Sequence, residues 1–441
     1  MIDNNFTNIE IVILFLLLFS LLFPLRLINK FQKLSLVNPL IIYCLITSYY
    51  TIISPIYRLI TNLTFDRGIE HRSLLIYGWT GCLVSLISLY FGYFFENTKS
   101  LKKNRTCNLN SYQLWNIGFW INNLGILGYL IFTGLNFSRF NPFIGEARGI
   151  DFLRYRGDFS SYLFYAQNFL ITGNLLMVTS FFRNKDKVLP TLGYLIITIG
   201  LYLNSGYRYK LFFLTFSLFL FYFLITKFSR KIYFIYITIS LFLFGFINSL
   251  LEIIRSYGSG FRLENLERFN LQGVFLYFFK VGESSVFLTT SALMSVIPSK
   301  VPYIYFYPFY KVLIHPIPST FFNKDAGDYI EDALFGLYQS EAQVYGAAIH
   351  NFGEYYLMFG WLGIIIGSFL LGIILKKLWI WILIHQNEEI ALPLYLLNIS
   401  FIFMIISRGY LPQQFLLYAF SVLPINLIYV FNNKKIKTNN I

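Results

Sequence analysis

The feature that most constrains the fold of this chain is the recurrence, over its whole length, of windows of about 18 or more mostly apolar residues. Each window is long enough to cross the hydrocarbon core of a bilayer, which is about 30 Å thick. Lipid offers the backbone no hydrogen bonds, whereas helices satisfy their backbone groups internally. The sequence therefore predicts an all-α integral membrane protein with about 11 transmembrane helices and one large outer loop that contains short helices.

The windows divide the chain into three parts. Hydrophobic residues make up 56% of the sequence and charged residues only 13%, a composition typical of membrane proteins. Residues 1–252 are predicted to form membrane helices 1 to 8, residues 253–352 a large periplasmic loop, and residues 353–441 membrane helices 9 to 11. The predicted spans are 8–28, 37–60, 73–95, 114–135, 161–182, 189–204, 211–226, 232–252, 353–375, 390–407 and 412–431. The first span lacks a small-residue cleavage site, so it predicts an anchor and not a removed signal peptide.

Charge alternates from loop to loop and predicts the topology. One set of loops holds 18 basic and 4 acidic residues, whereas the other set holds 17 of each, so the net charge of +14 belongs to the first set. The first set comprises the loops around residues 26–33, 96–105, 183–187, 227–231, 376–389 and 434–437. Because cytoplasmic loops carry the excess of Lys and Arg, we expect the N-terminus on the outer side of the membrane and the C-terminus in the cytoplasm. The charge then reports orientation in a lipid bilayer, and a nucleic-acid partner is not needed to explain it.

Arginines dominate the predicted outer face, which carries 12 Arg and 5 Lys, while the cytoplasmic loops carry 4 Arg and 14 Lys. A guanidinium binds phosphate through two parallel hydrogen bonds, so this bias predicts a phosphate or pyrophosphate ligand, unless the arginines only pair with the outer acids. Arg208 and Arg408 lie in outer turns so short that both sit at the membrane edge, where a charge is costly and usually functional. Snorkelling to the interface is the alternative. Lys210 and Arg255 are secondary candidates.

Two ionisable side chains stand where the outer loop returns to the membrane. In a helix, His350 and Glu354 share one face, and an imidazole beside a carboxylate at a membrane mouth predicts proton chemistry. A helix-capping histidine beside an interfacial glutamate is the alternative, and Asn351 is a secondary candidate. The glycines that follow are Gly360, Gly363, Gly367 and Gly372. They would let a neighbouring helix or an acyl chain approach closely, and plain helix packing explains them equally well.

The outer loop contains a further apolar run, 273–297, which Lys280 and Glu283 interrupt. One more crossing would invert the charge pattern of every later loop, so we expect a helix that lies on or dips into the outer surface. The tyrosine-rich run 303–310 could stack on sugar rings or form an interfacial aromatic belt. His315, in a proline turn, is a secondary candidate for a second catalytic histidine. No CxxC pair or histidine cluster is present, so neither a metal nor a cofactor is predicted.

Several short motifs resemble those of the oligosaccharide repeat-unit polymerases, the O-antigen polymerase family, which is related to the O-antigen ligases. The matching segments are His350-Asn351, Phe359-Gly360-Trp-Leu-Gly363, Glu354-Tyr-Tyr-Leu-Met-Phe-Gly360, Ser205-Gly-Tyr-Arg208 and Ser407-Arg408-Gly409. Many spans with one large, late outer loop also resemble that family. In one departure, Tyr207 stands where the family often has a small residue.

The resemblance implies a C-type glycosyltransferase fold and a metal-independent polymerase at the periplasmic face of a bacterial inner membrane. Its substrate would be oligosaccharide linked to undecaprenyl pyrophosphate, and it could also contact flippase and chain-length regulator proteins. In such a reaction His350 is the first candidate base, and Glu354 orients it or acts as the base itself. Arg208 and Arg408 would stabilise the negative charge of the leaving pyrophosphate.

Two other functions stay open. An O-antigen ligase would use the same donor with a lipid A core acceptor. A flippase for lipid-linked oligosaccharides should show internal repeats and broken helices in both halves, and the sequence carries no such duplication.

Overall fold

The computed structural model describes residues 7–27, 33–66, 68–96, 105–107, 109–137, 160–185, 187–205, 208–226, 285–314, 317, 329–335, 337 and 348–435. This part of the chain is mostly helical. The helices are α1 (Asn8–Leu22), α2 (Pro39–Ser48), α3 (Ser54–Ile60), α4 (Leu75–Phe95), α5 (Ser111–Phe132), α6 (Ser160–Tyr165), α7 (Phe169–Asn184), α8 (Val188–Ser205), α9 (Arg208–Ile225), α10 (Val286–Val296), α11 (Tyr307–Ile314), α12 (Tyr329–Phe335), α13 (Asn351–His385), α14 (Ala391–Ser407), α15 (Leu411–Ser421) and α16 (Leu423–Phe431).

Short irregular elements join or extend these helices. The 3₁₀ segments are Phe23–Leu27, Lys33–Val37, Arg72–Leu74 and Ala166–Asn168, and a π-helical turn, Tyr49–Ile53, links α2 to α3. Two antiparallel pairs of strands complete the described structure. They are β1 (Phe65–Asp66) with β2 (Ile69–Glu70), and β3 (Arg105–Cys107) with β4 (Asn433–Lys435).

Four helical stretches in the described ranges are long and apolar enough to cross a membrane. They are Asn8–Leu27, Pro39–Ile60, Arg72–Phe95 and Asn351–His385. The pair α15 and α16, bent by 48°, would add a fifth, and several further apolar helices are shorter. The prediction of an all-α membrane protein is thus confirmed in outline, whereas the predicted number of eleven spans is not. The predicted span 232–252 lies outside the described residues.

Local sequence explains where the first helices begin. Thr7 Oγ1 accepts a hydrogen bond from the Glu10 amide (3.3 Å), and the Glu10 carboxylate accepts one from the Thr7 amide (2.8 Å), which forms a capping box. Asn38 caps α2 in the same way by accepting from the Leu40 amide (2.9 Å). Glu10 also forms a buried ion pair with Arg72 (2.6 Å), so that the start of α1 is fixed to the start of the Arg72–Phe95 stretch.

Glycines allow the central helices to pack closely. A Cβ atom at Gly92 in α4 would overlap the carbonyl oxygen of Phe369, and one at Gly372 in α13 would overlap the carbonyl oxygen of Leu89. Ser85 and Ser368 share a hydrogen bond across the same contact (2.8 Å). Small residues that let helix backbones approach in this way are common between membrane helices. These contacts favour helix packing over acyl-chain access as the reason for Gly372.

The helix ends fall into two groups, which we call the Glu389 end and the His350 end. At the Glu389 end, the Glu389 carboxylate accepts a hydrogen bond from Ser111 (2.6 Å) and pairs with Arg183 (3.2 Å). The loops that meet there, including those of β3 and β4, belong to the predicted cytoplasmic set. Their convergence agrees with the predicted alternation, while the side of the membrane that each end faces stays a prediction.

Helix α13 is not the continuous helix that its apolar sequence predicts. Phe359 and Gly360 have non-helical backbone angles, and Gly360 has φ +63°, a left-handed conformation that favours glycine. A Cβ at Gly363 would overlap the carbonyl oxygen of Tyr355, yet residues eight apart in a straight helix are separated by about 12 Å along the axis. The first part of α13, residues 351–358, therefore folds back against the second part, 361–385. Gly363 is small because of this fold.

One described helix of the predicted outer loop, α10, packs inside the helical core. All residues of α10 except Ser295 are buried, and Thr290 lies against Gly353 in α13. Burial of this kind fits a segment that dips inward better than one that lies on the surface. Most of the run 253–352 falls outside the described residues, including the interrupting Lys280 and Glu283.

Candidate functional site

His350 precedes the first residue of α13 and is fully buried. Its backbone amide donates to Thr290 Oγ1 (2.8 Å), and its ring Nδ1 lies 2.8 Å from the carbonyl oxygen of Ile406. A carbonyl oxygen only accepts, so Nδ1 carries the proton and Nε2 keeps its lone pair. The ring is stacked on Phe352, with the ring centroids 5.2 Å apart. Tyr50 packs against it in a T-shaped arrangement, also with 5.2 Å between the centroids. These contacts fix both the orientation and the tautomer of the imidazole.

The Nε2 atom of His350 is buried and has no hydrogen-bond partner in this structure. Burial lowers the pKa of His350 to about 4, against the weaker opposing effect of the bond to Ile406. The imidazole is therefore neutral at pH 7 and offers one unused lone pair. A buried acceptor without a partner is destabilising, so its retention calls for a functional explanation.

Glu354, predicted to orient or replace His350 as the base, is buried and directed to other groups. Its Oε1 accepts hydrogen bonds from the Tyr329 hydroxyl and from the Leu411 amide (2.8 Å). Leu411 is the first residue of α15, whose N-cap residue Tyr410 makes no side-chain cap of its own. The carboxylate thus caps the N-terminus of α15, and it connects α12 to α15 because Tyr329 of α12 donates to the same oxygen. The imidazole, by contrast, is oriented by the Ile406 carbonyl.

Arg408 ends α14 in a turn that is attached to the residues around His350. The Arg408 carbonyl accepts hydrogen bonds from the Tyr410 amide (2.7 Å) and from Gln414 Nε2, while the Gly409 amide donates to the carbonyl of Ile349 (2.7 Å). A Cβ at Gly409 would press on the His350 carbonyl. The structure thus brings His350 and the turn of Arg408 together through the backbone. The Arg408 side chain is half-buried.

Arg208 is the first residue of α9, and its side chain lies outside the described residues. Helices α9 and α14 are antiparallel, because Phe212 packs on Phe403 (4.1 Å) and Phe213 on Phe401 (6.0 Å). The start of α9 therefore lies beside the end of α14. Both predicted arginines belong to the His350 end.

The secondary candidates divide into two groups. Asn351 is buried: its Nδ2 lies 3.4 Å from the Tyr43 hydroxyl, and its Oδ1 has no partner. Lys210 is also fully buried, with Nζ 4.7 Å above the ring of Phe164. Arg255 and His315 lie outside the described residues. Within the described ranges, no group of three or more His, Cys, Asp or Glu residues could hold a metal ion.

Sequence reasoning missed three side chains at this end. Gln167 and Asn168 are fully buried in the segment predicted as span 161–182, where two adjacent amides in an apolar window were a usable signal. Tyr329 carried no such signal, because nothing in the sequence sets it apart among 34 tyrosines. Its role depends on Glu354, which lies in a different helix.

No family model matches this chain, and neither a curated protein nor a solved structure is significantly similar to it. The function must therefore be argued from the residues of the His350 end and from the motif resemblance.

Proposed function

We propose that this protein is a glycosyltransferase that joins oligosaccharide units carried on undecaprenyl pyrophosphate into a polysaccharide. The observation that carries the proposal is the imidazole of His350, which is held neutral with a free Nε2 lone pair beside the turn of Arg408. A proton acceptor close to a turn that carries an arginine is what a reaction needs that deprotonates a hydroxyl and releases a pyrophosphate. The motif resemblance supplies the substrate class.

The reaction transfers a sugar chain from one lipid carrier to the end of another. A hydroxyl oxygen of the acceptor sugar forms a bond to the anomeric carbon of the donor, and the bond from that carbon to the phosphate oxygen breaks. His350 Nε2 takes the proton of the hydroxyl, and undecaprenyl pyrophosphate leaves with the electron pair. Because the Nδ1–H group donates its hydrogen bond to the carbonyl of Ile406, the lone pair of Nε2 is the part of the ring that can act as the base.

Arg408 and Arg208 stabilise the leaving pyrophosphate in this proposal. Planar guanidinium groups bind phosphate oxygens in pairs, and no protonation step is needed because they stay charged. The contact of Glu354 with the Leu411 amide holds the residue three positions after Arg408. We therefore assign Glu354 to positioning the arginine turn, and His350 to the proton transfer.

The setting follows from the same proposal. The His350 end faces the periplasm of a bacterial inner membrane, the lipid-linked substrate enters from the bilayer, and flippase and chain-length regulator proteins work alongside. Transfer to a lipid A core, as an O-antigen ligase performs, would use the same groups with another acceptor. The choice of acceptor therefore decides between polymerase and ligase.

Purified protein in lipid nanodiscs, supplied with the lipid-linked repeat unit extracted from its source cells, tests the proposal. The expected product is a ladder of chain lengths that each differ by one repeat unit. Transfer that occurs only when a lipid A core acceptor is added would identify a ligase. Absence of any new glycosidic bond with either acceptor would contradict the proposal, and movement of intact substrate across a proteoliposome membrane would then favour a flippase.

A further inference from the structure

A cluster of buried polar side chains lies at the 3₁₀ segment Ala166–Asn168, where the helical course of α6 and α7 is interrupted. Gln167, Asn168 and Lys210 are each fully buried. Neither the Nδ2 nor the Oδ1 atom of Asn168 has a hydrogen-bond partner, and the same is true of Gln167 Oε1. Gln167 Nε2 donates to the carbonyl of Phe164 (2.9 Å), which settles which atom of that amide is the oxygen.

Contacts between three helices bring this cluster together. The Tyr202 hydroxyl in α8 donates to the Gln167 carbonyl (2.9 Å), and the ammonium of Lys210 in α9 lies over the ring of Phe164 in α6 (4.7 Å). The cluster also lies near the proposed active site. Lys210 is two residues after Arg208 at the start of α9, and this start lies beside the end of α14, where Arg408 follows.

Buried amides normally find partners, and an isolated one destabilises the fold. A leucine at position 168 would fill similar space in this apolar window without that penalty. Three amide atoms of Gln167 and Asn168 are therefore available for hydrogen bonds to a ligand, because no group of the protein bonds to them. Two of them are oxygens, which require donors, and the third is a nitrogen, which requires an acceptor.

We propose that Gln167, Asn168 and Lys210 form a binding site for one sugar residue of the lipid-linked oligosaccharide. A sugar hydroxyl both donates and accepts, so vicinal hydroxyls satisfy the two amide oxygens and the Asn168 nitrogen together. A phosphate or carboxylate group would instead be repelled by the two amide oxygens. The inference rests on the proposed function and adds to it a saccharide subsite next to the pyrophosphate-binding arginines.

The test compares stability and binding in Asn168→Leu. Removal of an unpaired buried amide should raise the thermal unfolding midpoint of purified protein by about 2 °C. Asn174→Leu is the matched control, because Asn174 lies in the adjoining helix α7 and is equally buried, but its Nδ2 donates hydrogen bonds to Thr198 Oγ1 (2.7 Å) and to the Leu170 carbonyl (2.7 Å), so that only its Oδ1 has no partner. That control should lower the midpoint, since it removes bonds that are made.

Binding is measured in nanodiscs with two probes, the lipid-linked oligosaccharide extracted from source cells and undecaprenyl pyrophosphate without sugar. Wild-type protein should bind the sugar-bearing lipid at least about tenfold more tightly, one sugar contact being worth about 1.4 kcal/mol. Asn168→Leu should abolish that preference and leave the affinity for the sugarless lipid unchanged. Lys210→Met should weaken binding of the sugar-bearing lipid in the same selective way.

The possible contrary results separate the two proposals. If Asn168→Leu keeps the wild-type preference for the sugar-bearing lipid, the two amides bind only water, and the proposal of a saccharide site is wrong. If wild-type protein binds both lipids equally, the site is also wrong while the pyrophosphate assignment stands. If it binds neither lipid, the proposed function and the subsite are both overturned.

Discussion

The two ends of the helical bundle use histidine in different ways. At the Glu389 end, Nδ1 of His385 lies 2.8 Å from a carboxylate oxygen of Glu388 and 3.1 Å from the Tyr429 hydroxyl. The Glu388 carboxylate also accepts a hydrogen bond from the Cys107 amide. At the His350 end, the ring of His350 is fixed by a backbone carbonyl and keeps one nitrogen without a partner. The His385 ring nitrogen that contacts Glu388 is thus paired within the fold, whereas Nε2 of His350 is left for a ligand.

The same contrast extends beyond the histidines. Glu389 binds Ser111 and Arg183 across the Glu389 end, as a structural tie between helices. Near the His350 end, Asn351 and Asn168 keep buried oxygen atoms that make no hydrogen bond. Since such atoms are costly in a folded protein, the unpartnered atoms of His350, Asn351 and Asn168 support a binding site near this end.

Replacement of the two histidines should give the largest difference between the ends. His350→Ala is expected to lower the rate of chain assembly by about 10³-fold, because general base catalysis typically contributes 10²–10⁴-fold. His385→Ala, at the last residue of α13, should leave the rate near wild type. Turnover of lipid-linked repeat unit by purified variants is the measurement. Equal losses in both variants would mean that His350 has a structural role only.

Arginine substitutions should give the next largest effect. Arg408→Ala is expected to raise the barrier by about 2.7–4 kcal/mol, the usual cost of losing a donor to a developing oxyanion. Arg408→Lys and Arg208→Lys should fail to restore activity, because an ammonium has no planar pair of donors. Arg183→Lys at the Glu389 end is the matched control and should be silent. Nearly full activity in Arg408→Lys would show that the site needs positive charge without a bidentate fork.

Substitution of Glu354 separates positioning from base catalysis with a smaller effect. Glu354→Gln retains an oxygen that can accept from Tyr329 and Leu411, so this variant should keep most of its activity. Glu354→Ala removes this acceptor from the buried Tyr329 hydroxyl and from the half-buried Leu411 amide, and should lower the free energy of unfolding by about 1–3 kcal/mol. Activity and unfolding are measured on the same samples. A Glu354→Gln variant that is stable but inactive would reassign the base to Glu354.

The pH dependence of stability should show the smallest difference between the ends. The pKa of His350 in the folded protein, about 4, is below the ordinary value of 6.5, so the unfolded chain takes up a proton first as the pH falls. The contribution to stability is complete above pH 6.5 and is lost progressively between pH 6.5 and 4. Comparison of unfolding midpoints for wild type and His350→Gln across this range isolates the effect. Identical pH profiles would show that the ring is not buried in neutral form.

The residues of the His350 end could be singled out from the sequence, whereas their geometry could not. The spacing of His350 and Glu354 and the depth of Arg408 were readable because ionisable residues stand out in apolar segments. The use of Glu354 as a cap for α15 was not readable, since it depends on a contact 57 residues along the chain. The break at Gly360 was equally hidden. Its left-handed backbone is packed against Tyr303, and no local pattern distinguishes it from a packing glycine.

The most direct test of the central claim is a single-turnover reaction with purified protein and lipid-linked repeat unit, in which both products are quantified. We predict that wild-type protein releases one undecaprenyl pyrophosphate for each new glycosidic bond. His350→Gln, which fills similar space but offers no basic lone pair, should bind the substrate and form neither product. Formation of both products by His350→Gln at the wild-type rate would contradict the assignment of the buried imidazole as the base.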